Sequence, residues 1–169
     1  MSKNVQVVVV GGGYGGVTAA NRLARRDGVS VTLVNRRADF VERIRLHQMV
    51  TGSDDAVAGF GEVLGGNVRL VVDAATRIDA AERRVSLAGG GTLTYDYLIY
   101  AVGSGAADPG VPGAAEFAYS VSDLEGAERL RSALAAAPAT DPVTVVGAGP
   151  TGLETAAELA EGGRKVTLV

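Results

Sequence analysis

Apolar positions in this chain fall in short runs rather than long stripes. Val5 to Val10 reads VQVVVV and is bounded by glycine, the pattern of a strand buried on both faces of a parallel sheet and too short for a stable helix. The alanine-rich VTAANRLARR after Gly16 predicts a helix, and Val29 to Val34 supplies a second strand. The same order returns in PVTVVGAGPTGLETAAELAEGGRKVTLV, with an apolar run, a glycine turn, a helical stretch and the start of a strand. Two such copies predict an α/β fold built on parallel pairing.

Between the copies, NVRLVVDAATRIDAAERRVSLAGGGTLTYDYLIYAVGS holds strand-like runs broken by DAAERR and AGGG. This predicts a β-meander rather than another strand and helix crossover. The segment ends in YDYLIYAVGS, a strand closing on small residues that let backbone pass near a flat ligand. FVERIRLHQMVTG reads as helical, with Glu42, Arg43 and Arg45 on ordinary charged faces. The later stretch DPGVPGAAEFAYSVSDLEGAERLRSALAAAPATD has a turn-rich start and a helix from about Ser122 to Ala136. There Ser122 is the expected N-cap, and Glu125, three residues on, would complete a capping box. Val143 to Val146 predicts a sheet edge free to pair with a second chain, which leaves a homodimer or domain swap open.

The glycines carry the first chemistry. Gly11, Gly13 and Gly16 stand in G-x-G-x-x-G spacing, and Gly147, Gly149 and Gly152 repeat it. The first glycine allows a tight turn, the second lets backbone N–H groups approach a pyrophosphate, and the third lets helix and strand pack closely. The helix N-terminus adds partial positive charge at the phosphate. In a chain with 24 glycines one such motif alone is weak. Here a strand precedes, a helix follows, and a ribose-binding residue is due about 20 residues on. Asn35 stands at that place instead of Asp or Glu, and its amide oxygen accepts hydrogen bonds without carrying charge. Arg36 and Arg37 follow, and three readings stay open for them: 2′-phosphate recognition and hence NADP, solvated loop residues, or contacts to a pyrophosphate or adenine. Tyr14, inside the turn, either covers the phosphates or packs.

Composition narrows the classes. With 47% hydrophobic and 21% charged residues the chain is globular. A net charge of −3 offers no broad positive field for nucleic acid. The absence of cysteine excludes disulfides, thiolate metal sites and a redox dithiol from this stretch. No Ser/His/Asp set or metal-ligand cluster is visible, so no metal is expected. No apolar run approaches a membrane span or signal core. The expectation is a cytoplasmic chain, with peripheral contact at the inner membrane face left to a further C-terminal part.

Taken in order, VVVVGGGYGG, LTYDYLIYAVGS and VTVVGAGPTGLETAAEL resemble the two-dinucleotide-domain flavoproteins, the pyridine nucleotide–disulfide reductase superfamily in its broad sense. The resemblance implies a Rossmann-like FAD-binding domain with a parallel sheet and β-meander, followed by the start of a second Rossmann-like NAD(P)H-binding unit. The implied divisions are 1–105, lacking its C-terminal segment, a connector at 106–141, and a partial NAD(P)H unit at 142–169. Where disulfide reductases carry a C-x4-C pair, FVERIRLHQMVTG has no cysteine. The branch it resembles is that of type II NADH dehydrogenases and apoptosis-inducing-factor-like proteins. That implies hydride transfer from NAD(P)H to flavin, then reoxidation by a quinone or other small acceptor.

The resemblance assigns Gly11, Gly13, Tyr14, Gly16, Asn35 and Arg36 to FAD. It places the Ala75 backbone near adenine, and Ala101 and Gly103 in the small-residue turn by the flavin nucleotide. Gly147, Gly149 and Gly152 go to NAD(P)H. Glu154, expected in the first turn of the next helix, either approaches nicotinamide or flavin or simply complements the helix dipole. His47, the only histidine, is either a proton donor to reduced flavin or a helix residue at the domain surface.

VSVTLVN in the first copy aligns with RKVTLV in the second, and the residue that separates NAD from NADP would come next. The expectation is therefore a truncated piece of a longer FAD-dependent NAD(P)H:acceptor oxidoreductase. Two other readings are a nucleotide-binding redox sensor with little turnover and a simple NADP dehydrogenase. The last leaves YDYLIYAVGS and the second glycine turn without a role.

Overall fold

The first sheet is organised around β1 (Val5–Val10), which pairs in parallel with β2 (Val29–Asn35) and with β9 (Tyr97–Tyr100). β5 (Val68–Val72) pairs with the far side of β2, giving the order β5-β2-β1-β9. In this computed structural model, residues 4–105 and 110–169 are described. The chain divides into two compact units, Met1–Val41 with Val57–Ser104, and Glu42–Ala56 with Gly105–Val169.

The valine run of β1 is explained by its two covered faces. Val7 and Val9 join Val17 and Ala20 of α1 (Tyr14–Leu23) and Val31 and Leu33 of β2 in one cluster. The alternate residues Val8 and Val10 join Val34, Val85 and Leu87 in a second. A strand whose successive side chains point to opposite faces must be apolar at both parities when both faces are buried.

The second face is covered by an antiparallel sheet of β6 (Ala75–Asp79), β7 (Arg84–Leu87) and β8 (Thr92–Thr94). The meander is narrower than the sequence predicts, because β5 and β9 at its flanks join the parallel sheet instead. Continuous apolar stretches such as LVV and YLI suit parallel pairing, whereas RVSL alternates between exposed and buried positions as a one-sided sheet requires. β3 (Asp39–Val41) and β4 (Val57–Gly59) form a short antiparallel pair followed by α3 (Phe60–Val63), which brings Phe40 and Phe60 into the first cluster.

The second unit gathers around α2 (Leu46–Thr51), which follows a 3₁₀ turn at Arg43–Arg45 and buries Leu46, Met49 and Val50. It packs against α5 (Leu124–Ala136) and α6 (Pro150–Glu161), which contribute Ala127, Thr155 and Leu159. β10 (Val143–Val145) and β11 (Val166–Leu168) pair in parallel on either side of α6 in sequence. α4 (Ala114–Phe117) is a single turn within the expected turn-rich stretch, of which Asp108 and Pro109 lie outside the described residues.

The cap of α5 differs from expectation. Asp123 is the N-cap, its carboxylate accepting from the Gly126 N–H at 2.8 Å. Ser122 is used otherwise: its hydroxyl pairs with that of Ser120 at 2.6 Å and its carbonyl accepts from the Arg43 guanidinium at 2.7 Å. Asp and Ser are nearly equal as N-caps, so the neighbours decide between them. Glu42 and Arg45 pair at 2.9 Å, and Arg45 also reaches Asp54 at 2.8 Å.

Candidate functional site

The two glycine turns have the same geometry. Gly11 and Gly147 have φ of +105° and +107°, a left-handed conformation that only glycine adopts without strain. Each donates to the end of the next parallel strand, Gly11 N–H to Val34 at 2.9 Å and Gly147 N–H to Val169 at 2.7 Å. Gly13 and Gly149 are the N-caps of α1 and α6, both extended. A Cβ on Gly16 would strike the carbonyl of Gly11, and one on Gly152 the carbonyl of Gly147. Third-position glycine is thus required by helix-on-strand contact in both copies.

Both turns fit a bound pyrophosphate. A Cβ built on Gly13, Gly15 or Gly149 would meet nothing within 4 Å, so the backbone there faces open space. Neither α1 nor α6 has a side-chain cap hydrogen bond or an acidic residue in its first turn. The open backbone at both helix N-termini, together with the helix dipole, suits an anion. One cavity of about 640 Å³ lies elsewhere, lined by residues including Gln6, Arg26, Ser30 and Arg69 at the starts of the strands. Ligands of open α/β sheets sit at the carboxyl ends, so the glycine turns remain the candidate site.

The first turn is held from below. A Cβ on Gly11 would meet the carbonyl of Ala101, whose own N–H donates to Val10 at 2.8 Å. A Cβ on Gly12 would meet the Phe60 ring, which is 2% exposed. Phe60 stacks edge-on with Phe40 at 6.4 Å, and Phe40 with Tyr14 at 5.1 Å. Tyr14 is 44% exposed, so it packs on one edge and faces solvent on the other. Phe40 and Phe60 escaped the motif reading because they are remote in sequence; their signal was scarcity, since the chain is only 5% aromatic.

Asn35 ends β2 with its side chain engaged at both ends. Its Oδ1 accepts from the Gly12 N–H at 3.0 Å, and its Nδ2 donates to the Arg37 carbonyl at 2.9 Å. Arg36, next in line, is exposed. Ala75 opens β6 and is partly buried, and Gly103 is exposed with φ of +71°.

In the second unit His47 and Glu154 come together, Nδ1 lying 3.8 Å from a carboxylate oxygen with side chains 12% and 55% exposed. His47 is thus largely covered rather than a surface residue. Glu154 also departs from expectation, since it is the fifth residue of α6 and lies beyond the first turn. The dipole effect fades within that turn, which weakens the bland account of this carboxylate. A second link between α2 and α6, missed in the sequence, joins the Thr51 and Ser53 hydroxyls to Glu158 at 3.2 and 3.0 Å. Among the described residues no group of His, Cys, Asp or Glu is arranged to hold a metal ion.

Comparison with known proteins agrees with this geometry. An NADH dehydrogenase-like protein of Mycobacterium tuberculosis is 38% identical over 169 residues, covering 91% of this chain and 42% of the relative. The type II NADH:quinone oxidoreductase Ndh of the same species is 35% identical over 177 residues, covering 92% of this chain and 38% of its own length. Among solved structures, an NAD-dependent persulfide reductase from A. fulgidus superposes with a TM-score of 0.78 at 31% identity, over 96% of this chain and 33% of that one. The chain therefore spans less than half the length of these relatives. The family described as Pyridine nucleotide-disulphide oxidoreductase matches residues 5–169, and the chain belongs to that family.

Proposed function

We propose that this chain is part of an FAD-dependent oxidoreductase that passes a hydride from NAD(P)H to flavin and on to a quinone or another small acceptor. The observation that carries the reading is the duplicated glycine turn, with matching φ at Gly11 and Gly147 and matching helix-on-carbonyl contacts at Gly16 and Gly152. Two pyrophosphate cradles on one chain call for two dinucleotides. The similarity to a protein named as a type II NADH:quinone oxidoreductase supports the donor and acceptor classes.

Flavin, when bound, supplies the two-electron chemistry, and the protein supplies binding, orientation and electrostatics. In this reading the N–H groups at Gly13 and the start of α1 hold the FAD pyrophosphate, with Tyr14 over it, Asn35 and Arg36 at the ribose and Ala75 at the adenine. Ala101 and Gly103 form the small-residue wall. The N–H groups at Gly149 and the start of α6 hold the NAD(P)H pyrophosphate against Gly147 and Gly152. Glu154 stands at the nicotinamide end, and His47 behind it is the candidate proton source. The absence of cysteine fits an acceptor other than a protein disulfide formed by this stretch.

No helix among the described residues is long and apolar enough to cross a membrane. Access to a quinone by peripheral contact, and pairing of chains through the β10 edge, where Val146 is 84% exposed, belong to this proposal. The test is titration with FAD, followed by flavin fluorescence with NADP as competitor. Saturable FAD binding, bleaching by NAD(P)H and rapid restoration by a quinone are expected. Binding of NADP in preference to FAD at the first turn would overturn the reading, and slow stable reduction without restoration would favour a sensor.

A further inference from the structure

The residue at position 35 departs from the acidic residue usual at the end of the second strand of a dinucleotide fold, and its hydrogen bonds supply a reason. Gly12 N–H has only a proton to give, and the Arg37 carbonyl has only lone pairs. The side chain between them must therefore offer an acceptor and a donor together, with Oδ1 at 3.0 Å and Nδ2 at 2.9 Å. Neither Asp nor Glu, ionised, has a donor. A carboxylate here would keep the bond from Gly12 but turn its second oxygen toward the oxygen of Arg37, so that an attraction becomes a repulsion.

We infer that Asn35 is a positioning residue, a neutral two-ended brace that ties the glycine turn to the loop carrying Arg36 and Arg37, rather than a weakened form of the acidic ribose ligand. The surroundings leave the brace little freedom. A Cβ on Gly12 would meet both the Phe60 ring and the Asn35 side chain, and the backbone carbonyl of Asn35 is taken by the Asp73 N–H at 2.9 Å. The amide end therefore sets where the loop turns after β2, and with it the wall met by the adenosine half of the ligand. The free lone pair of Oδ1 remains for one ribose hydroxyl. The inference rests on the reading of the first turn as the FAD site, and it predicts that placing the acidic residue usual in dinucleotide folds at position 35 harms binding.

The experiment compares the wild-type chain with Asn35→Asp and Asn35→Ala, measuring dissociation constants for FAD, for ADP as the adenosine half and for FMN as the flavin half. Asn35→Asp is expected to bind FAD and ADP about fivefold or more weakly than wild type, the size of one lost neutral hydrogen bond. FMN affinity is expected to stay level, and Asn35→Ala to fall in the same direction. Asn35→Asp that binds FAD as tightly as wild type, or tighter, overturns the inference and restores the charged-ligand account. Parallel losses for FAD, ADP and FMN also overturn it, since they report general disruption. If wild type itself binds neither FAD nor ADP, the flavin-site reading fails first and takes the brace's role with it.

Discussion

The imidazole of His47 on α2 and the carboxylate of Glu154 on α6 face each other with Nδ1 3.8 Å from Oε2. The pair joins a residue from the first third of the chain to the helix that follows the second glycine turn. At that distance, with Glu154 more than half exposed, water screens the interaction, so Glu154→Gln should change stability by less than about 0.5 kcal/mol. Its effect on function should be larger. Reduction of bound flavin by NAD(P)H, followed by stopped-flow absorbance, is expected to slow about tenfold or more if the carboxylate orients the reacting nicotinamide. An unchanged reduction rate would remove Glu154 from the proposed site.

The third glycine of each turn and the second glycine should respond oppositely. Gly16→Ala and Gly152→Ala drive a methyl group into a backbone carbonyl and should each cost about 1 to 3 kcal/mol, read from thermal or denaturant unfolding. Backbone cannot move aside as a flexible side chain does.

Gly13→Ala meets open space. Unfolding should shift by no more than about 1 kcal/mol, the usual range for an N-cap change. FAD affinity should nevertheless fall if the first turn holds the pyrophosphate as proposed, because the methyl group would occupy that place. Loss of stability without loss of affinity would place the ligand elsewhere.

Leu33 is 0% exposed, at the centre of β2. Leu33→Ala should cost about 2 to 5 kcal/mol through lost burial and the cavity left behind. Leu153, 52% exposed on α6, serves as a control and should stay within about 0.5 kcal/mol on truncation to Ala. Chemical denaturation of both variants checks the contrast.

Asp54 is held below its ordinary carboxyl value of 3.8, first by the Ala56 N–H and then by hydrogen bonding to Arg45. A carboxyl whose folded value is depressed stabilises the fold above its unfolded value, and that contribution is lost as pH falls through the folded one. Asp54→Asn should therefore unfold at a lower temperature than wild type near pH 7. The difference should shrink as pH drops below about 4, where the wild-type carboxyl begins to protonate in the unfolded chain. Melting curves at pH 7, 4 and 3 test the sign.

The elements that were legible in the sequence are those whose causes are local. VQVVVV has the pattern of a strand covered on both faces, and glycine at positions 1 and 6 of each turn is demanded by backbone conformation and close approach within a few residues. The family and the two-nucleotide reading follow from those features and their order. Other features were decided by contacts between residues far apart in the chain. Phe60 against Gly12, the Asn35 brace, and α2 packing on α5 and α6 depend on which elements lie side by side, and periodicity carries no record of that. The cap of α5 shows the same limit at short range: Ser122 and Asp123 are nearly equal as caps, and Arg43, 79 residues away, engages the carbonyl of one and leaves the helix to the other.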